Sequence, residues 1–288
     1  MGDKVHIFEV GPRDGLQNEP RMIATVRKVQ LIDLLSLTGL EKIEVASFVS
    51  PQLVPQMADG ADVLSAISHR PGVAYAALVP NLKGYERARA AGADEVAIFS
   101  SASEGFSQKN SNCTIADSLV RLRAVAAAAN ADRLPLRGYV SCVVACPYDG
   151  PTPPEAVAAL TAALLDMGCY QVSLGDTIGA GVPVSVARML DAVLQVTPAS
   201  VLAGHYHNTA GAAIRNIAIS LERGLRTFDA SIAGLGGCPF APGAPGNVAT
   251  GTVAAYLAQL GYETGLDTAC LAEAERFALE FKGGRDEH

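Results

Sequence analysis

Tryptophan is absent, aromatic residues make up only 6% of the 288-residue chain, and no apolar run is long enough to span a membrane. The apolar content of 49% is ample for a large core, but that core must be built from Ala, Val and Leu rather than from rings. Basic charge is also short: 22 Lys and Arg stand against 29 Asp and Glu, a net charge of −7. A nucleic-acid partner needs a basic stripe, which this balance argues against. A small anionic ligand needs only a few local cations and stays open. No Cys-x-x-Cys occurs among the six cysteines, which argues against a zinc knot. No secretory or organelle presequence is legible before the first strand-like segment at Val5. Free thiols in a reducing cytoplasm are therefore expected rather than a disulfide framework. Low-complexity tracts and linkers are missing too, so one domain is expected over residues 1–288.

What is present is alternation. Short β-branched runs are followed by longer amphipathic stretches rich in Ala and Leu. Strands are expected over 6–10, 42–46, 74–79, 95–99, 136–143, 171–174, 201–205 and 227–232. Helices are expected over 25–38, 60–68, 84–91, 115–131, 153–167, 182–196, 209–223 and 250–260. Gly39, Gly92, Gly168 and Gly224 stand where a left-handed residue stops the preceding helix. Eight strand–helix units in series predict an α/β fold, an eight-stranded parallel barrel of the TIM type. A small C-terminal helical appendage over 267–281 and a frayed, charged tail over 282–288 complete it. An open doubly wound sheet alternates in the same way and is the competing architecture.

In such barrels the chemistry sits at the C-terminal ends of the strands. Two of the chain's five histidines, His205 and His207, fall at the end of the seventh expected strand. Residues two apart in a strand point the same way, so both imidazoles face one direction and one divalent cation can bridge them. The first strand ends in Arg13 and Asp14, which a surface salt bridge would also explain. Glu44 lies inside the second strand, where a carboxylate must face a polar interior or pair with a cation; Arg13 on the neighbouring strand is the obvious partner. Tyr139, in the fifth strand, can serve as a core ring with a satisfied hydroxyl. Ser173, Asp176 and Thr177 belong to the sixth strand and its end, and Asp176 can equally cap the next helix. After the eighth strand, a Gly- and Pro-rich loop carries one thiol, Cys238, and ends in the amide of Asn247. It is not a dinucleotide fingerprint, because Pro239 occupies the last glycine position of that pattern. Asp14, His205, His207 and Asn247 together offer two nitrogens and two oxygens. That set suits an octahedral Mg²⁺, Mn²⁺ or Co²⁺ with two open positions, whereas a structural zinc prefers thiolates.

The stretches EVGPRDGLQNE, ASFVSPQLVPQM, VPNLKGYE, RGYVSCVVACPYDG, SLGDTIG and AGLGGCPFAPGAPGN resemble the hydroxymethylglutaryl-CoA lyase family over nearly the whole chain. The resemblance implies cleavage of (S)-3-hydroxy-3-methylglutaryl-CoA to acetyl-CoA and acetoacetate in leucine degradation, with Mg²⁺ or Mn²⁺ as cofactor. It implies Asp14, His205, His207 and Asn247 as metal ligands, and Asp14 or His205 as acceptor of the hydroxyl proton. It further implies Arg13 at the thioester enolate oxygen, Cys238 as proton donor to the enolate carbon, and Glu44 as the group that orients Arg13. Gln17, Tyr139, Ser173, Asp176 and Thr177 would contact substrate. The partners expected are an acyl-CoA substrate and further copies of the chain, in a homodimer or higher homo-oligomer. Neither nucleic acid nor membrane is expected, and the location is cytoplasmic.

Three positions depart from the family pattern. Asn208 follows the histidine pair where Asp is usual, Pro20 replaces a Lys, and Thr114 stands where Ser is common. Asn208 removes a charge near the metal, which predicts weaker binding or a slower reaction. A lyase for another 3-hydroxyacyl-CoA, such as citramalyl-CoA, would use the same catalytic set. Condensing barrels and a non-catalytic barrel that binds acyl-CoA or metal are the remaining alternatives.

Overall fold

The computed structural model describes residues 3–237 and 245–282. In chain order the strands are β1 (His6–Glu9), β2 (Lys42–Ser47), β3 (Ala74–Leu78), β4 (Glu95–Ser101), β5 (Leu136–Ser141), a short hairpin of β6 (Ala145–Cys146) and β7 (Gly150–Pro151), then β8 (Gln171–Asp176), β9 (Leu202–Tyr206) and β10 (Thr227–Ala230). All except the hairpin close into a parallel barrel in the order β1-β10-β9-β8-β5-β4-β3-β2. The expected eight-stranded barrel is therefore the one observed, and the open sheet is excluded. The hairpin was not expected; it lies outside the barrel after β5.

The helices are α1 (Thr25–Leu35), α2 (Gly60–Ala66), α3 (Leu82–Ala90), α4 (Glu104–Ser111), α5 (Ile115–Asp132), α6 (Pro154–Asp166), α7 (Pro183–Val193), α8 (Ala213–Glu222), α9 (Thr250–Gln259) and α10 (Thr268–Leu279). Several are shorter than their periodicity suggests. The apolar pattern that foretold a helix from 209 begins as a turn, and α8 starts only at Ala213. Helix α4 escaped notice because EGFSQKNS has no apolar stripe; it is held at its start by the Ser103 hydroxyl, which accepts from the Phe106 N–H. Thr114 caps α5 in the same way by accepting from the Asp117 N–H, so Thr fills the capping place that Ser would take. Gly39, Gly92, Gly168 and Gly224 all have positive φ, as their cap positions require.

The period-two alternation of the strands sorts their side chains into two environments. Ile43, Val45, Val96, Ile98, Val140, Val172, Leu174, Leu202 and Phe228 join the main apolar cluster with Leu31, Leu35, Leu122, Val157, Leu164, Leu190 and Ile217 from the helices. Each such fully buried aliphatic contributes about 1.5–3 kcal/mol. The alternate residues form separate small clusters, Phe8 with Ala76 and Leu78 with Ala97 and Tyr139. They share the barrel interior with charged groups, namely Glu44, Glu95, Arg137 and Asp229, all buried. A register shift between Glu44 and Ala46 marks a bulge in β2 at this level.

Helix α10 packs on α1 and on the turn after β10. Lys282, which the sequence placed in a frayed tail, is instead held: its ammonium donates to the Ala233 carbonyl.

Candidate functional site

After β1 the chain enters a wide turn, Gly11–Gly15, in which the N–H groups of Arg13, Asp14 and Gly15 all point at the Val10 carbonyl. The turn lifts Arg13 and Asp14 over the C-terminal mouth of the barrel. Gly11 is required there, since a Cβ would lie 2.6 Å from Glu9 Oε1 and 2.9 Å from Ile232 Cγ2. Arg13 is buried and doubly anchored: its Nε donates to Glu44 Oε2 at 2.5 Å and its Nη1 to Asp14 Oδ1 at 2.6 Å. The remaining Nη2 has no protein partner among the described residues. The guanidinium sits 5.6 Å from the centre of the Tyr139 ring.

Asp14, His205 and His207 bring one ligand atom each to within 4.8 Å of one another. His205 Nε2 lies 4.0 Å from Asp14 Oδ2, and the two imidazole rings are 5.3 Å apart, centre to centre. Burial opposes charge on Asp14, but Arg13 and the histidines outweigh it and lower its carboxyl to about 2. Burial and the neighbouring His205 lower His207 to about 4, so it is a neutral imidazole with a free lone pair. His207 Nδ1 is buried without a hydrogen-bond partner. An ionised carboxylate beside two imidazoles, one with an orphaned buried nitrogen, fits a divalent cation. Asn247 stands at the same point but presents its amide nitrogen, which donates to Asp14 Oδ2 at 2.7 Å and to the Leu235 carbonyl at 3.3 Å. Its expected ligation through Oδ1 requires the amide to be turned.

Beneath these residues lies a network that the sequence did not reveal. Arg137, fully buried, donates from Nη2 to Asp229 Oδ1 at 2.7 Å and from Nη1 to the Tyr139 hydroxyl at 2.9 Å. Its Nε donates to Gln171 Oε1 at 3.1 Å, and the guanidinium stacks 4.1 Å from the Phe8 ring centre. Asp229 Oδ2 accepts from the Ser173 hydroxyl at 2.7 Å and lies 3.2 Å from His205 Nδ1.

The other expected residues are placed as follows. Gln17 reaches Asp14 Oδ1 through Nε2 at 3.3 Å. Thr177 accepts from the Cys142 N–H at 2.9 Å and is only partly buried. Ser173 and Asp176, expected at the substrate, are fully buried. Ser173 is committed to Asp229, and Asp176 accepts from the N–H groups of Ala180 and Gly181 at 3.1 and 2.8 Å. Asp176 therefore closes the loop after β8 and does not cap α7, which starts beyond Val182. Asn208 does not face the histidines: its Oδ1 accepts from the Ala213 N–H at 3.3 Å. Cys238 lies outside the described residues; on either side of it, Gly237 and Pro245 pair in an antiparallel bridge.

Glu9 joins the loops that carry these groups. Its Oε1 accepts from the N–H groups of Gly11 and Ile232 at 2.7 and 2.8 Å, and its Oε2 from the Thr250 hydroxyl at 2.6 Å. Burial raises its carboxyl from 4.5 to about 7, with the three hydrogen bonds pulling the other way. A raised carboxyl favours the fold fully below its unfolded value, and that stability is lost as pH rises through about 7. The loss is on the order of 3 kcal/mol. Glu9→Gln, which cannot ionise, is expected to flatten the fall in urea-unfolding stability between about pH 5 and pH 8. Equal slopes in the two proteins would refute this account of Glu9.

These features define a class: a parallel barrel whose strand ends carry a candidate divalent-cation centre beside a buried arginine. The HMGL-like family model matches residues 4–278, and the chain belongs to that family. It is 53% identical over 271 residues to a Pseudomonas aeruginosa protein named 3-hydroxy-3-isohexenylglutaryl-CoA/hydroxy-methylglutaryl-CoA lyase, covering 94% of this chain and 90% of that one. It is also 53% identical over 279 residues to the mitochondrial hydroxymethylglutaryl-CoA lyase of Arabidopsis thaliana. That match takes in 97% of this chain but only 60% of the plant protein. The crystal structure of the HMG-CoA lyase from Brucella melitensis superposes with a TM-score of 0.96 at 57% identity, covering 97% of this chain and 99% of that one. The resemblance drawn from the motifs is thus met in family and in fold.

Proposed function

We propose that this protein is a lyase that cleaves (S)-3-hydroxy-3-methylglutaryl-CoA to acetyl-CoA and acetoacetate by a retro-Claisen reaction. The observation that carries the reading is the convergence of Asp14, His205 and His207 within 4.8 Å, beside an arginine already anchored by Glu44. The ligands would be Asp14, His205, His207 and, with its amide turned, Asn247. When bound there, Mg²⁺ or Mn²⁺ lowers the cost of removing a proton from a tertiary hydroxyl. Asp14 or His205 takes that proton. The carbon–carbon bond then breaks, acetoacetate leaves as the ketone, and the electron pair passes into the thioester enolate. Arg13 meets the developing negative oxygen; with Nε and Nη1 held by Glu44 and Asp14, its Nη2 is the donor left for substrate. Cys238 supplies the proton that converts the enolate carbon to the methyl of acetyl-CoA. Gln17, Tyr139 and Thr177 line the approach, while Ser173 and Asp176 support it from below.

The products suit leucine degradation. No helix among the described residues is long and apolar enough to cross a membrane, and five described cysteines are free, which supports a cytoplasmic setting. A homodimer or larger homo-oligomer is the assembly we propose. The test of substrate is a cleavage assay across 3-hydroxyacyl-CoA thioesters. The methylglutaryl thioester is expected to exceed citramalyl-CoA by at least about tenfold in kcat/KM. A reversed order would move the assignment to the latter. The isohexenylglutaryl thioester belongs in the series because the Pseudomonas aeruginosa relative is named for both substrates.

A further inference from the structure

We propose that Asp229 is a positioning residue that fixes the ring and tautomer of His205, so that Nε2 faces the cation site with its lone pair free. The inference rests on the reading of Asp14, His205 and His207 as metal ligands. It starts from an asymmetry between the two histidines. His207 Nδ1 has no hydrogen-bond partner, whereas His205 Nδ1 lies 3.2 Å from Asp229 Oδ2. Asp229 is in turn immobilised. Arg137 grips it with two donors, Nη2 on Oδ1 at 2.7 Å and Nη1 on Oδ2 at 3.2 Å, and the Ser173 hydroxyl adds a third at 2.7 Å. Arg137 cannot drift, because Gln171, the Tyr139 hydroxyl and the Phe8 ring enclose it.

A carboxylate so surrounded by donors is ionised and can only accept. The nitrogen facing it must therefore carry a hydrogen, so a neutral, metal-binding His205 is the Nδ1–H tautomer, with Nε2 turned toward Asp14, 4.0 Å away. Carboxylates that bind the far nitrogen of a ligating histidine typically strengthen metal binding about 10- to 100-fold. Asn208 does not take this place. That side chain points at the start of α8, and the carboxylate that reaches the histidine pair comes from β10 instead.

Two measurements test this. ¹⁵N NMR of the metal-free wild type reads the tautomer without any variant. We expect His205 Nδ1 to be protonated throughout the neutral range, and an unprotonated Nδ1 would overturn the proposal. Mn²⁺ titration of the metal-free proteins reads affinity. Asp229→Asn is expected to bind Mn²⁺ about 10- to 100-fold more weakly, with the His205 tautomer mixed. Asn208→Asp should leave affinity within about twofold, since that position does not face the rings. Unchanged Mn²⁺ affinity in a folded Asp229→Asn protein would overturn the proposal. If Asp229→Asn does not fold, Ser173→Ala, which removes one donor from Oδ2, is read by the same NMR signature, and a freed His205 ring is the expected result. Failure of the wild type to bind Mn²⁺ would overturn the metal reading itself, and the tautomer measurement would still judge the hold of Asp229 on the ring.

Discussion

Arg13→Met is expected to lower kcat by about 10³-fold and to destabilise the fold by about 3–5 kcal/mol. The first effect follows from the proposed role of the guanidinium as the cation that meets negative charge developing on the thioester oxygen. The second follows from burial. Glu44 is fully buried, one of its oxygens is bonded to Arg13 Nε and the other has no partner at all. Removing the arginine leaves a carboxylate in the barrel interior with no solvent, no hydrogen-bonded counter-ion and only the charge of Arg137 to offset it, a far larger cost than losing a surface pair. Arg13→Lys should recover part of the stability and little of the rate. A single ammonium cannot hold Glu44 and Asp14 in the present fork geometry and still offer a donor to substrate. Initial rates and urea unfolding measure the two effects separately. A kcat within tenfold of wild type in Arg13→Met would remove Arg13 from the reaction.

A stability effect of the same size is expected at Arg137. Arg137→Met strips Asp229 of two donors in a site where both partners have no solvent exposure, and a loss of about 3–5 kcal/mol is predicted. The double replacement Arg137→Met with Asp229→Leu should be less destabilised than the single one, because it removes both charges and leaves no unpaired buried charge. It should nevertheless bind Mn²⁺ weakly, since His205 then has no carboxylate at Nδ1. The combination of recovered stability with lost metal affinity distinguishes a positioning role for Asp229 from a purely structural one. If the double variant is less stable than Arg137→Met alone, the ion pair is not the source of the effect.

Much of the site was legible because it obeys short-range rules. His205 lies in β9 and His207 one residue past its end, bridged to Asn247, so extended backbone sends both rings one way. Glu44 announced itself as a carboxylate inside an apolar strand. Arg137 and Asp229 satisfy the same criterion, in the segments RGYV and TFDA. They escaped notice because their partnership spans the barrel. β5 and β10 are not neighbours in the sheet, and the two residues are 92 positions apart. Ser173 is expected at the substrate from its place at a strand end; what the sequence does not show is that its hydroxyl also donates to Asp229 across the interior. Only the capping alternative for Asp176 fails, for a local reason: the chain makes a further turn to Val182 before α7 begins, and Asp176 accepts from the Ala180 and Gly181 N–H groups within it. Asn208 was judged by its position next to the histidine pair. It lies past the end of β9, where its side chain accepts from the Ala213 N–H. The barrel itself was readable from eight alternations and four glycine caps, signals that need no long-range contact.

Carbon–carbon cleavage is proposed to depend on a divalent cation held by Asp14, His205 and His207. The most direct measurement of this dependence is the rate of acetoacetate release from (S)-3-hydroxy-3-methylglutaryl-CoA by chelator-stripped protein, before and after Mg²⁺ or Mn²⁺ is restored. Activity is predicted to fall at least about 100-fold on stripping and to return with either ion. Full activity in the stripped protein, or none in the reloaded one, would contradict it.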